Sequence, residues 1–132
     1  FGGDPASPDT YQKFYTDIEM YTNGFSGTDP ETYMSGWICS EMAQKSNTWG
    51  GNNMPRWCNP EYDKLSAKMA KTAAMSERIK LAKAMNDMLM QDYVMIPLIY
   101  RGSVSGRANS LKNVWMNGWD AETWNIADWE RQ

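Results

Sequence analysis

Hydrophobic and polar positions follow two different periods in the first part of the chain. In residues 15–21 charged and apolar side chains alternate, which places Ile18 and Met20 on one face. Asp17 and Glu19 fall on the other face. Because successive side chains of a strand point to opposite faces, this pattern predicts a half-buried β-strand. Residues 31–39 follow a glycine-rich loop and carry apolar side chains at helical spacing, so they predict a short helix.

The middle of the chain has the pattern of two successive helices. Asn59, Pro60 and Glu61 have the form of an N-cap, a proline at the first helical position and an acid in the first turn. The apolar stripe of this helix consists of Tyr62, Leu65, Met69, Ala70 and Ala73. A second helix is predicted, and Ser76 and Glu77 cap its start. Its apolar stripe consists of Ile79, Ala82, Met85, Leu89 and Tyr93. The pattern predicts a helical hairpin with one buried face.

The last third of the chain is less regular. Residues 94–100 are apolar and predict a buried strand, which Pro97 restricts to a sheet edge or a bulge. Residues 101–110 are rich in Gly and Ser and predict a linker. No apolar run approaches the roughly 20 residues that a membrane-spanning helix needs, so such a helix is excluded.

Composition and charge narrow the classes of function. The chain of 132 residues has the size of one domain. Its formal net charge is −3 and it has no block of basic residues, which disfavours nucleic acid as a partner. It contains no histidine. Mechanisms that need an imidazole base, and the common zinc sites, are therefore excluded.

The two cysteines, Cys39 and Cys58, flank a polar loop rich in Asn, Ser and Gly. A disulfide would restrict this loop and would indicate an oxidising compartment. Two free thiols are the alternative. Two cysteines without histidine leave a tetrahedral metal site half empty, so no metal or other cofactor is predicted.

Three sets of residues are candidates for chemistry. The loop at residues 23–30 is either a turn in which Asp29 caps the following helix or a ligand contact made by backbone groups. It lacks the signatures of nucleotide-binding loops. Tyr21, Trp49 and Trp57 could stack on a sugar or a peptide side chain while Arg56 meets a carboxylate, or they could anchor loops. Asp17 and Glu19 could form a glycosidase-like carboxylate pair, or they could belong to a solvated strand face.

The order of several short motifs resembles the C-terminal end of the family 5 extracellular solute-binding proteins. The motifs are IEMYTNG (18–24), TDP (28–30), YM (33–34), RWCNPEYD (56–63), ER (77–78), IPL (96–98), GWD (118–120) and WNIADW (124–129). These proteins are the oligopeptide-, dipeptide- and nickel-type binding components of ABC importers. The resemblance implies the C-terminal portion of a two-lobed α/β fold of the periplasmic-binding-protein-like type. In it, the helical hairpin packs on a mixed sheet, residues 1–103 belong to the ligand-binding lobe, and residues 104–132 cross the hinge and return to the other lobe.

The resemblance also implies a function without catalysis. The protein would capture a small solute, a peptide in most of the family, between its lobes and deliver it to the membrane permease. Its other partner would be the N-terminal remainder of the same protein, and its location would be periplasmic or otherwise extracytoplasmic, associated with the cell surface. The resemblance supports a disulfide between the two cysteines. The alternatives are a binder of an oligosaccharide or other non-peptide solute, and a carbohydrate-active enzyme that uses Asp17 and Glu19.

The ligand contacts implied by the resemblance lie in two loops. Peptide-binding members carry an aspartate three residues before the acidic residue that precedes proline, and it pairs with the peptide's amino group. Ser26 occupies that position here, and a hydroxyl cannot neutralise an ammonium group. The predicted ligand-binding residues are Asn23, Gly24, Phe25, Ser26 and Asp29 in the first loop and Trp49, Arg56 and Trp57 in the second.

Overall fold

The computed structural model describes residues 7–8, 10–24, 28–100, 102, 104–118 and 121–132. These fall into two units, one up to Ile96 and one from Pro97 onward. The first unit contains the helices α1 (Glu31–Ser35), α2 (Pro60–Met69) and α3 (Met75–Gln91), and short 3-10 helices at Tyr11–Lys13, Cys39–Glu41 and Lys45–Asn47. The second unit contains the strands β1 (Leu111–Lys112) and β2 (Glu130–Arg131) and a 3-10 helix at Ile126–Asp128. The two-lobed α/β fold and its division at residue 103 stay predictions.

Helix α2 begins where the sequence predicts. The side chain of Asn59 accepts a hydrogen bond from the backbone N–H of Glu61 at 3.0 Å, and Pro60 occupies the first turn. This satisfies one of the backbone donors that a helix leaves unpaired at its start. The predicted helical hairpin is confirmed, since α2 packs against α3.

The predicted apolar stripes are only partly correct. Tyr62 and Met69 are buried, but α2 ends at Met69, so Ala70 and Ala73 lie beyond it and are exposed. In α3 the buried residues are Leu81, Met85 and Leu89. Ile79 is exposed because the face of α3 that meets α1 and α2 is the one carrying positions 81, 85 and 89, and Tyr93 is exposed because it lies beyond the end of α3 at Gln91.

The core of the first unit joins α1, α2 and α3. Its buried members are Met34, Trp37, Tyr62, Met69, Leu81, Met85 and Leu89. The hydroxyl of Tyr62 donates to the backbone carbonyl of Met34 at 2.8 Å. Burial raises the pKa of this phenol well above its usual value. A single hydrogen bond therefore anchors α2 to α1 inside an otherwise apolar core.

The two predicted strands, at residues 15–21 and 94–100, are wrong as secondary structure. Residues 16–18 form bends, and Ile18 and Met20 are exposed. Residues 95–100 form no regular secondary structure and no backbone pairing with any described residue, and Ile96, Leu98 and Ile99 are exposed. A strand needs a neighbour to complete its hydrogen bonds, and the described residues supply none for these segments.

Helix α1 is shorter than the predicted helix at residues 31–39. It ends at Ser35, and the chain continues through a turn into the 3-10 helix at Cys39–Glu41. The backbone N–H of Cys39 donates to the side chain of Asp63 at 3.0 Å, which ties this turn to α2. The turn directs Trp37 into the core.

The second unit is a small two-stranded antiparallel ribbon in which Leu111 pairs with Arg131 and Lys112 with Glu130. The buried side chain of Asn125 holds it together, donating to the carbonyl of Asn113 at 2.7 Å and accepting from the indole N–H of Trp129 at 3.0 Å. The sequence pattern indicates neither strand.

Candidate functional site

A cleft of about 250 Å³ opens in the first unit. Its walls come from the 3-10 helix at Tyr11–Lys13, residues 21–24, α1 with the turn after it, and residues 51–54. Its aromatic lining residues are Tyr11, Tyr21, Tyr33 and Trp37, and its polar lining residues are Gln12, Thr22, Asn23, Thr32 and Asn52. Rings and amides from four separate segments therefore converge on one concave surface.

The aromatic rings of the cleft form two pairs. Tyr11 stacks on Tyr21, with ring centroids 5.9 Å apart and planes 21° apart. Tyr33 meets Trp37 edge-on at 6.0 Å. Burial, together with neighbouring groups that include Tyr33 and Glu19, raises the pKa of Tyr21 to about 12. Burial also raises the pKa of Tyr33, so both phenols stay protonated and neutral near pH 7.

Helix α1 is fixed to α3 by Arg78. The guanidinium donates to both oxygens of Asp29, at 2.6 and 3.0 Å, and to the carboxylate of Glu31 at 2.9 Å. Its remaining hydrogens bind the backbone carbonyls of Met69 and Thr72, both at 2.7 Å. All five of its N–H groups are thus used. One mostly buried side chain joins the start of α1, the end of α2 and α3.

Asp29 has a structural role in this arrangement. Besides the ion pair with Arg78, it accepts a hydrogen bond from the backbone N–H of Glu31 at 2.9 Å, which confirms that Asp29 caps the helix. The hydrogen bonds from the Arg78 guanidinium have the largest effect, and together with this backbone bond they hold the pKa of Asp29 below its usual 3.8. The predicted role of Asp29 as a ligand contact remains a prediction.

The loop between the two cysteines is held from inside by Asn53, which is fully buried. Its amide nitrogen donates to the carbonyls of Trp37 and Trp57 at 3.1 and 2.6 Å, and its oxygen accepts from the backbone N–H of Trp57 at 3.2 Å. Its own backbone bonds to Glu41 and Ala43. Sequence reasoning missed Asn53, because one asparagine in a polar loop carries no signal of burial.

Two further features fix this loop against the cleft. A Cβ on Gly51 would overlap the carbonyl oxygen of Glu41 and lie 2.8 Å from the carbonyl carbon of Met42, so only glycine fits there. The disulfide between Cys39 and Cys58 is confirmed and closes the base of the loop. Gly51 and the neighbouring Asn52 thereby form a rigid part of the cleft wall.

The structure brings the side chains of Trp49 and Arg56 together, whereas the side chain of Trp57 has other partners. The guanidinium of Arg56 lies 5.7 Å from the centre of a Trp49 ring and donates to the carbonyl of Lys13 at 2.6 Å. The indole of Trp57 donates to Asp92 at 2.9 Å and packs edge-on against Tyr62. None of the three is among the described residues that line the cleft. Arg56 instead supports the wall that carries Tyr11.

The remaining candidate residues differ in where the structure places them. Asn23 and Gly24 line the cleft and are exposed, whereas Phe25 and Ser26 lie outside the described residues. Asp17 is exposed and Glu19 partly buried, but the strand that was to align them is not formed. The sequence analysis missed Tyr33, Trp37 and Asn52 as cleft residues.

The residues that the structure describes contain no group of three His, Cys, Asp or Glu side chains that could hold a metal ion. None of the described helices is long and apolar enough to cross a membrane. Comparisons with protein-family models, with curated proteins and with solved structures find no match to this chain.

Proposed function

We propose that this chain is the C-terminal portion of the solute-binding component of an ABC importer. In this proposal the protein is extracytoplasmic, binds a small solute between two lobes and delivers it to the membrane permease. One observation carries the proposal. Asn23 and Gly24, which the sequence resemblance places among the ligand contacts, line a cleft together with aromatic rings and amides. Concave sites that combine apolar rings with a few polar groups are typical of small-molecule binding.

The chemistry of the cleft favours binding over catalysis. General acid–base catalysis works best with groups whose pKa lies near the operating pH. The pKa of Tyr21 is raised to about 12, and that of Tyr33 is also raised, so these phenols serve as hydrogen-bonding and stacking groups. The disulfide is compatible with the proposed location, since disulfides persist in oxidising compartments.

The proposal is tested by native mass spectrometry of the longer protein to which the chain would belong, purified from its own host. We expect a small solute to co-purify and the Gly24→Trp variant to lose it. Gly24 lines the cleft and a Cβ there meets no atom within 4 Å, so an indole can be placed at the edge of the cleft without a backbone clash.

Gly106→Trp is the matched control, since a Cβ at Gly106 also meets no atom within 4 Å and Gly106 is not a cleft residue. Retention of the solute in Gly106→Trp and its loss in Gly24→Trp would support the proposal. Equal retention in both variants would contradict a role for this cleft. Absence of any solute, with no thermal shift on adding peptides or oligosaccharides, would contradict the function itself.

A further inference from the structure

The lining of the cleft carries no ionised side chain among the described residues. Its polar groups are amides, threonine hydroxyls and phenols; a phenol is neutral near pH 7 at its ordinary pKa of about 10, and burial raises the pKa of Tyr21 and Tyr33 further. The wall is therefore electrically neutral but rich in hydrogen-bonding groups.

Charged side chains near the cleft are already occupied or are not on its surface. Asp29 is paired with Arg78, and Arg56 donates to backbone carbonyls. Glu41 accepts from the side-chain amide of Asn52 at 3.0 Å. Glu19 is not a lining residue, but its Oε2 atom is buried without a hydrogen-bond partner among the described residues, and its charge contributes to the raised pKa of Tyr21.

This neutrality disfavours a peptide terminus as the occupant. A free peptide carries an ammonium and a carboxylate group, and each loses hydration when it is enclosed. Burying a charge without a partner costs far more than burying a hydroxyl that finds a hydrogen bond. A ligand of neutral hydroxyl groups meets no such penalty here.

We infer that the cleft binds one ring of a neutral saccharide. The stacked rings of Tyr11 and Tyr21 offer aromatic surface to the C–H groups of a sugar ring. The amides of Asn23 and Asn52 can donate to and accept from its hydroxyls, and the bond to Glu41 fixes the amide of Asn52 with its oxygen free to accept. The cleft volume of about 250 Å³ suits one small ring, since sites for drug-sized ligands are roughly 300–1,000 Å³.

This inference rests on the proposed function and specifies its solute. The test is an NMR titration of the ¹⁵N-labelled longer protein to which the chain would belong, with three probes: cellobiose, maltose and the zwitterionic peptide Ala-Ala-Ala. We expect at least one disaccharide to give saturable shifts at the amides of residues 21–24 and 51–52. We expect the peptide to leave these amides unchanged at the same concentration.

The outcomes distinguish the saccharide inference from the proposed solute-binding function. Saturable shifts with the peptide alone would overturn the saccharide inference and leave the proposed solute-binding function standing. In that case Glu19→Gln tests whether Glu19 holds the peptide's ammonium group. No saturable shift with any of the probes would overturn the inference, while native mass spectrometry of the longer protein would still test the function separately.

A matched pair of variants sharpens the titration. Asn23→Ala removes one neutral hydrogen-bonding group from the lining, so it should weaken disaccharide binding about three- to tenfold. Asn86→Ala is the control, because Asn86 is exposed on α3 and is not a cleft residue. Equal affinity in the two variants would overturn the inference that the side-chain amides of the cleft form hydrogen bonds with sugar hydroxyls.

Discussion

The three helices of the first unit differ from the segments at residues 15–24 and 95–100, which form no helix or strand. The helices form their backbone hydrogen bonds locally and bury a common core. The two other segments make no backbone-to-backbone hydrogen bond with any described residue and expose large apolar side chains such as Ile18 and Ile99. A helix forms its backbone hydrogen bonds within its own segment, whereas a strand forms them only with a partner strand. Under the proposed function, further parts of the protein would pair with these segments.

Substituting the same residue type in the two regions gives the largest expected contrast. Met85 is fully buried between the helices, whereas Met20 is 77% exposed. Met85→Ala should lower the free energy of unfolding by about 3 kcal/mol, because it leaves a cavity in the core. Met20→Ala should change it by less than about 0.5 kcal/mol. Urea denaturation measures both, and a loss of similar size in Met20→Ala would show that the segment at residues 15–24 is packed.

Two glycines of the cleft test the same contrast at the level of the backbone. Gly51→Ala forces a Cβ against the backbone of Glu41 and Met42, so we expect a loss of about 2 kcal/mol. Gly24→Ala places its Cβ in open space, so its effect should stay within about 0.5 kcal/mol. Chemical denaturation of the two variants side by side checks this. Equal stability would mean that the loop at Gly51 relaxes without cost.

The hydroxyl groups of two tyrosines give a smaller difference. Tyr62 donates from inside the core to the carbonyl of Met34, whereas Tyr15 is exposed. Tyr62→Phe should cost about 1 kcal/mol, since it leaves a buried carbonyl without this hydrogen bond. Tyr15→Phe should be neutral within error. Thermal denaturation distinguishes them, and a neutral Tyr62→Phe would show that the backbone N–H of Trp37, 3.2 Å from the carbonyl oxygen of Met34, is a sufficient donor.

These comparisons separate the features that the sequence could predict from those that it could not. The start of α2 follows from Asn59 and Pro60 because a helix cap is local, and the start of α3 at Met75 lies one residue from its predicted position. The strand predicted at residues 15–21 is not formed, since an alternating pattern does not supply the partner strand that pairing needs. The same limit applies to the cleft. Asn23 was predicted from its loop, but Trp37 reaches the cleft through the turn after α1, and Asn52 reaches it through the loop that Asn53 and Gly51 hold in place.

Acid should weaken the ion pair between Arg78 and Asp29, and we expect this effect on stability to be smaller than those of the substitutions above. The pKa of Asp29 is held below 3.8 in the folded protein, chiefly by its hydrogen bonds with Arg78. A carboxylate with a lowered folded-state pKa stabilises the fold above its unfolded-state pKa, and this contribution is lost as pH falls through the folded-state value. Stability from this group should therefore be constant from pH 7 to about pH 5 and should decline below about pH 4.

Two asparagine variants identify the carboxylate responsible. Asp29→Asn removes the titrating group, so it should lower the stability at pH 7 and flatten the decline below pH 4. Asp17→Asn is the matched control, since Asp17 is exposed in the segment at residues 15–24 and forms no ion pair with a described residue. The free energy of unfolding, measured in urea at several pH values, separates the two. If the decline is as steep in Asp29→Asn as in Asp17→Asn, another carboxylate is responsible for the acid sensitivity, and the Arg78 junction is insensitive to acid.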